Sequence, residues 1–451
     1  DLNYKGYIYM HKNLLYLKAE LDKHPELKYE IIQQNWQTDF LRFYQSQTNY
    51  NISKDNCSLS CALYKGKKLY SFELDGPNPD KIDAAFSEAL SLIDSLPEDP
   101  DFRDLENELS LAPPRKLANN INELDLSRKT KILSDFAQKA AEYDFELYGT
   151  FICNYSQYRL VNSNGMDKSS TNSPIYLEIK AVHNKNQVTV LETFGGEDFG
   201  YFDQDAFREH LVAKLVHAQN PVVDVEPGDY EVILAPRCLA EFCQYLSSGM
   251  SAWSLDQHSS YFEDKLNQKI FPSCVSITDD PGDPEMIGKD YGSNGHIYKK
   301  LDLIDKGVFK AFMCDSYFHH KLGLPKNGNT GDCIKIAPGE HKLEDMISSV
   351  TKGLYISSLH YMNFINPRET SLTGLTRDGT FLIVDGKIKA VVNNLRFTER
   401  IARILENVVA LENKAYTIPF SDNYDSFSIS TTKAPHAKIS GFNISSSTKT
   451  I

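Results

Sequence analysis

The sequence lacks most of the features that announce common functions. No apolar run approaches the roughly 20 residues that a membrane-crossing helix needs, so no contact with membrane is expected. Positive charge is in deficit: 48 Lys and Arg against 61 Asp and Glu give a formal net charge of −13. Duplex binding depends on clustered cations that displace counterions, so no direct nucleic-acid partner is expected. The eight cysteines (Cys57, Cys61, Cys153, Cys238, Cys243, Cys274, Cys314 and Cys333) include no Cys-x-x-Cys pair, which excludes zinc ribbons and thioredoxin-type motifs. Their number is ordinary for 451 residues and points to buried thiols in a reducing, cytoplasmic compartment. The chain begins at Asp1 without a methionine, which leaves room for a processed segment upstream.

Several catalytic signatures are also missing. There is no Gly-x-Ser-x-Gly elbow, no phosphate loop in "PKNGNTGDC" and no dinucleotide fingerprint in "FGGEDFG". His210 and His217 stand seven apart on one predicted helix, about 10.5 Å of rise, too far for both to reach one zinc. Cys314, His319 and His320 are the densest soft-ligand cluster. Placed on a strand, the two histidines would point to opposite faces. Asp279 and Asp280 form a carboxylate pair before a proline, where aspartates commonly serve turns.

What is present is a mixed α+β pattern without short repeats or low-complexity tracts. Helices are predicted at Leu14–His24, Asn78–Ile93, around Ile132, Phe136 and Ala140, and through Phe207, Leu211 and Leu215. Between the second and third of these, residues 97–120 read as an acidic, proline-bearing connector. "CALYKGKKLYSFEL" and "FLIVDGKIKAVV" read as hairpins turning at Gly66 and at Asp385-Gly386, and "IYKKLDLIDKGVFKAFMCD" as another turning at Gly307. "NPVVDVEPGDY" carries two prolines and a glycine. It divides a mixed α/β N-terminal domain, 1–220, from a strand-rich C-terminal domain, 221–451, with two or three helices. Two helices are predicted there at "LEDMISSVTKG", stopped by Gly353, and "TERIARILENVVAL", capped by Thr398. The Ser/Thr-rich end "SSSTKTI" reads as frayed.

"VILAPRCLAEFCQYLSSGM" reads as a strand entering a helix. Pro236 suits the first turn, Leu239, Phe242, Cys243 and Leu246 form a buried stripe, and Gly249 suits a left-handed end. Packing and capping account for the whole segment.

From Gly228 onward the chain resembles the TldD/PmbA family, once called modulators of DNA gyrase and understood as peptide-processing metallopeptidases. The resemblance rests on six stretches in the family's order: "PGDYEVILAP", "VSITDDPGDP", "YKKLDLIDKGVFKAFMCDSYFHHKLG", "PKNGNTGDC", "APGEHKLEDMISSVTKGLYI" and "RDGTFLIVDGKIKAVVNNLRFTERIARILENVVAL". TldD-type members carry His-Glu-x-x-x-His in the central helix. Aligned on Pro236, those positions fall on Gln244, Tyr245 and Gly249, none of which supplies an imidazole or a carboxylate. The family's further cysteine near the C-terminus is also missing, since Cys333 is the last. The short Thr-Gly-x-Phe-Ser stretch becomes "LTGLTRDGTF". Ligands five apart on an ideal helix diverge by about 140°, so a site of that type needs a locally altered helix.

The resemblance implies a PmbA (TldE)-like subunit with no catalytic, cofactor-binding or metal-ligating residue of its own, which pairs with a TldD-type zinc-bearing subunit and helps to hold an unfolded peptide. A homodimer is the alternative resting form. Two rival readings are an autonomous metal-dependent peptidase using Cys314, a neighbouring histidine and an aspartate, and a regulatory protein acting on gyrase.

Overall fold

Burial of period two runs through the first long strand, β1 (Leu27–Tyr44), where Leu27, Tyr29 and Ile31 face inward. The computed structural model describes residues 11–115, 117–118, 120–422 and 427–447. It places β1 inside a seven-stranded antiparallel sheet with β2 (Gln47–Lys65), β3 (Lys68–Asp75), β4 (Phe145–Asn162), β5 (Asp167–Asn172), β6 (Ile175–His183) and β7 (Thr189–Gly196). The strand order is β3-β2-β1-β4-β6-β7, with β5 beside β4.

Helices α1 (Lys12–Leu21) and α2 (Pro79–Leu92) pack Leu14, Leu17, Ile82 and Phe86 against this sheet. Asn78 starts α2 by accepting from the Lys81 N–H at 3.0 Å, with Pro79 in the first turn. Further along come α3 (Asn120–Glu123), α4 (Leu126–Ala141) and α5 (Gln204–Ala218). Phe136 of α4 and Phe207, Leu211 and Leu215 of α5 share a core with Leu177 and Ile179 of β6.

The remaining strands are β8 (Val222–Val223), β9 (Gly228–Leu234), β10 (Ile277–Asp279), β11 (Leu301–Asp305), β12 (Val308–Phe309), β13 (Ile334–Ile336), β14 (Lys352–Asn366), β15 (Ser371–Val384), β16 (Lys387–Val392), β17 (Leu395–Arg400), β18 (Val408–Leu411), β19 (Tyr416–Asp422), β20 (Ser428–Ala434) and β21 (Ala437–Ser447). Six form a sheet of order β12-β11-β10-β13-β20-β19, and eight form another of order β14-β9-β21-β17-β15-β16-β8, with β18 on β21. Because β14 also pairs with β15, the strands β14, β9, β21, β17 and β15 close into a ring. The architecture is α+β, as the sequence pattern predicts.

The helices in this part are α6 (Pro236–Ser248) and the shorter α7 (Ala252–Asp256), α8 (Ser316–Leu322), α9 (Leu343–Ser348) and α10 (Ile401–Glu406). The stripe of Leu239, Phe242, Cys243 and Leu246 is buried, with the Phe242 ring 5.9 Å from Phe397 and 6.3 Å from Phe442.

Four local expectations are corrected. Gly249 follows α6 in a right-handed conformation (φ −72°), not a left-handed one. Gly353 does not stop α9, which ends at Ser348; it lies in β14 paired in parallel with Glu231, whose carbonyl oxygen would sit 2.3 Å from an added Cβ. Thr398 belongs to β17, and α10 starts only at Ile401 after Arg400. His319 and His320 lie on α8 rather than on a strand, because Asp315 caps that helix by accepting from the Phe318 N–H at 2.9 Å. Of the terminal stretch, Ser445 to Ser447 finish β21, and the rest lies outside the described residues.

The connector at 97–120 is anchored at Glu106, Glu108 and Arg115. Glu106, 6% exposed, pairs with His296 at 2.7 Å and Lys326 at 2.9 Å and accepts from the Ser316 hydroxyl. Glu108 pairs with the other nitrogen of His296 at 2.9 Å. Arg115 reaches Glu197 at 2.8 Å and Asp290 at 2.6 Å.

Candidate functional site

Helix α6 follows directly from β9. That strand is held between β14 (Leu234 opposite Ile356) and β21 (Leu234 opposite Ala437), and the Ala235 N–H donates to the Ile356 carbonyl at 2.9 Å. The sheet therefore fixes where the helix starts, and each end of the helix borders a cavity.

The cavity at the C-terminal end has a volume of about 600 Å³. Gln244, Tyr245 and Gly249 all line it, together with Ser248, Trp253 and Phe364. Each of the three is accounted for by other contacts. Gln244 donates to the Thr432 hydroxyl at 2.9 Å. Tyr245 donates to the Met362 carbonyl at 2.8 Å and stacks edge-on with Phe364 at 5.3 Å; burial, then Glu241, pushes its phenol pKa up. Gly249 closes the helix with an N–H bond to Leu246 at 3.1 Å. The helix stays α-helical through Ser248, so nothing brings positions 244 and 249 to one point.

Zinc does not fit this donor set, because an amide, a phenol and a glycine supply no imidazole, thiolate or carboxylate. Glu241, one turn earlier, is pushed up to about 7 by burial, with Arg237 pulling it down. It does not line the cavity.

The other sequence candidates do not converge. The Cys314 thiol faces the Asp315 carbonyl at 3.5 Å and is pushed up to about 12, chiefly by burial. His319 bonds the Leu324 carbonyl at 2.6 Å. Asp279, 0% exposed, accepts from Tyr298 at 2.7 Å and from Asn329, Gly331 and Cys333 at 3.0 Å each. Asp280 accepts from the Gly282 N–H at 3.1 Å, so it holds the turn while Asp279 anchors the 329–333 loop. Among the described residues, no three His, Cys, Asp or Glu side chains are grouped to hold a metal.

The cavity at the N-terminal end has a volume of about 510 Å³. His210 and His217 both line it, with rings 6.4 Å from Tyr416 and 5.8 Å from Phe381. Beside it runs a buried relay that the sequence did not reveal. Glu412 bonds His436 Nδ1 at 2.6 Å, His436 Nε2 meets the Tyr355 hydroxyl at 3.0 Å, and Tyr416 donates to Glu412 at 3.0 Å. Burial lowers the His436 pKa against the pull of Glu412, which favours the neutral ring with its proton on Nδ1. No motif links Tyr355, Glu412 and His436; only strand pairing brings them together. The stretch "LTGLTRDGTF" lies in β15, where Asp378 and Gly379 take φ of +50° and +111°.

A family model for the PmbA/TldA metallopeptidase C-terminal domain matches residues 227–446. Over those residues the chain is a PmbA/TldD family member. A metalloprotease PmbA homolog from Buchnera aphidicola is 22% identical over 179 residues, 38% of this chain and 39% of that protein. A zinc metalloprotease TldD homolog from Saccharolobus solfataricus is 25% identical over 201 residues, 40% of this chain and 45% of that protein. The matched stretches thus span less than half the length of these curated relatives. Two solved structures share the fold over nearly the whole length. TldE from Thermococcus kodakarensis superposes with a TM-score of 0.84 at 20% identity, covering 96% of this chain and 99% of that one. A candidate modulator of a DNA gyrase from Thermotoga maritima gives 0.82 at 16% identity, covering 96% and 100%.

Proposed function

We propose that this metallopeptidase-related chain is a non-catalytic, PmbA-like subunit. In this reading it pairs with a TldD-type subunit that carries the zinc, and the two together hold an unfolded peptide for cleavage. The observation that carries the reading is the state of the α6 cavity. A cavity of about 600 Å³ lies there, but Gln244 and Tyr245 direct their polar atoms to Thr432 and Met362, and Gly249 offers no side chain. Without an imidazole or carboxylate there, no group can activate a metal-bound water.

An extended peptide can be held by adding a strand to a sheet edge, which uses backbone groups rather than distinctive side chains. The gyrase reading gains nothing from the net charge of −13, which opposes direct contact with a duplex.

The test is co-expression with a relative that carries His-Glu-x-x-x-His, followed by size-exclusion chromatography, zinc analysis and cleavage of an unstructured peptide. Co-elution, with zinc and cleavage appearing only when the relative is present, is the expected result. Zinc at one per chain together with cleavage by this chain alone would overturn the proposal.

A further inference from the structure

The cavity at the N-terminal end of α6 has no part in the proposed peptidase role. Its walls are aromatic and aliphatic, with Phe194, Phe202, Phe207, Tyr355, Phe381 and Ile388 among the lining residues. A volume of about 510 Å³ and an apolar wall with a few polar groups are what small-molecule sites offer.

The lining carries three acidic side chains (Glu192, Asp203, Glu285) and three basic ones (Lys214, Arg237, Lys414), of which only Lys214 and Glu192 pair with each other. Lys214 is matched by Glu192 at 2.6 Å and Glu285 by Lys433 at 2.7 Å, while Asp203 spends its carboxylate on the N–H groups of Asp205 and Ala206. Arg237 and Lys414 remain on the lining without an ion pair among the described residues. The Arg237 guanidinium donates to the Pro419 carbonyl at 3.1 Å and lies over the Phe420 ring at 4.8 Å. The Lys414 ammonium lies 4.8 Å from the Tyr416 ring.

Two further features belong to the same lining. The 13-residue helix α6 begins there, at Ala235, Pro236 and Arg237, with no capping side chain, so the positive end of its dipole is unanswered. Ser357, 6% exposed, also lines the cavity. It falls where the β14–β15 ladder shifts register, between Ile356 and Ser358, and its hydroxyl has no hydrogen-bond partner. Leaving a buried hydroxyl unpaired is costly.

We propose that this cavity binds a small organic acid. Its carboxylate would lie at the first turn of α6, against Arg237 and Ser357, and its aromatic or branched aliphatic body among Phe194, Phe202, Phe207 and Phe381. One guanidinium, and a helix turn from which Pro236 has removed an N–H, match a single carboxylate better than a doubly charged phosphate.

Calorimetric titration of the full chain with 3-phenylpropionate tests this, with 3-phenylpropan-1-ol and 3-phenylpropylammonium as controls of equal body. The expected result is one-to-one binding of the acid, about tenfold or more tighter than either control. Arg237→Gln should weaken it about tenfold. Ala213→Trp, at an exposed α5 position on the cavity lining, should abolish it without lowering the thermal midpoint. Titration with N-acetyl-Ala-Ala-Phe as acid and as amide separates a free acid from a peptide terminus as the source of the carboxylate. Tighter binding of the tripeptide acid than of 3-phenylpropionate assigns the carboxylate to a chain end, and weaker binding assigns it to a free acid. Equal binding of the alcohol, no binding of either acid, or an unchanged affinity in both variants would overturn the proposal.

Discussion

Gln244 donates its side-chain amide proton to the Thr432 hydroxyl at 2.9 Å, fastening the C-terminal half of α6 to β20. Aligned on Pro236, this is where a TldD-type relative would place its first histidine. The position therefore carries a structural bond here, and restoring the motif must break it.

The triple substitution Gln244→His, Tyr245→Glu and Gly249→His is expected not to create a zinc site. It removes two hydrogen bonds and sets a carboxylate where Tyr245 met the Met362 carbonyl. A loss of about 2–4 kcal/mol is expected. Denaturant titration gives the loss, and elemental analysis gives the metal content; zinc at one per chain would contradict the expectation.

Glu106 makes stability depend on acid pH. Burial acts to raise its pKa, but the Ser316 hydroxyl, Lys326, the Asn107 N–H and His296 outweigh it and hold the pKa at about 2. A carboxylate depressed from its ordinary value of about 4.5 stabilises the fold fully above that value and loses the contribution as pH falls toward 2. Glu106→Gln is expected to cost roughly 2 kcal/mol at neutral pH. The gap from the parent should close between about pH 5 and pH 2. Denaturant midpoints across that range measure it, and a gap that stays constant would sink the idea.

Gly353→Ala tests the close approach of β14 to β9. The added Cβ would meet the Glu231 carbonyl oxygen at 2.3 Å and Val350 Cγ1 at 2.8 Å. Separating the strands should cost about 2 kcal/mol or more, since strain at such positions is among the large single-site effects. Gly66→Ala provides the comparison, because nothing lies within 4 Å of that site and only its left-handed φ of +61° is strained. Thermal melts should rank Gly353→Ala as the more damaging.

Asp279→Asn should be destabilising although it is nearly isosteric. The carboxylate accepts four hydrogen bonds in full burial. An amide turns one acceptor oxygen into a donor facing other donors, at about 2–3 kcal/mol. A chemical-denaturation midpoint equal to the parent's would refute this.

Local chemistry was legible where neighbours in sequence decide the outcome. Asn78 and Pro79 start α2, and Asp385-Gly386 turns the β15–β16 hairpin with φ of +45° and +72°. The stripe on α6 comes from spacing alone. Local pattern misleads where distant strands decide. Gly353 looks like a helix stop, yet pairing with β9 requires a residue without a side chain there. Thr398 looks like a cap, but "LRFTER" alternates buried and exposed residues along β17. That alternation stands in the sequence directly before the helical pattern of Ile401 to Leu411. The Asp315 cap that puts His319 and His320 on a helix was equally readable. The meeting of Tyr355, Glu412 and His436 was not, because it depends on where β14 and β21 lie relative to β9.

The seven-stranded sheet closes every one of its ladders within residues 27–196, whereas the eight-stranded sheet spans Val222 to Ser447. On a ribosome, the first sheet can therefore assemble once the chain has emerged through residue 196, before any strand of the second sheet is made. The second must wait for the final strand, β21, which holds β9 from one side and β17 from the other. Until then the apolar face of α6 has no complete sheet to cover it. That interval during translation is when the nascent chain is most exposed to aggregation and most in need of chaperones.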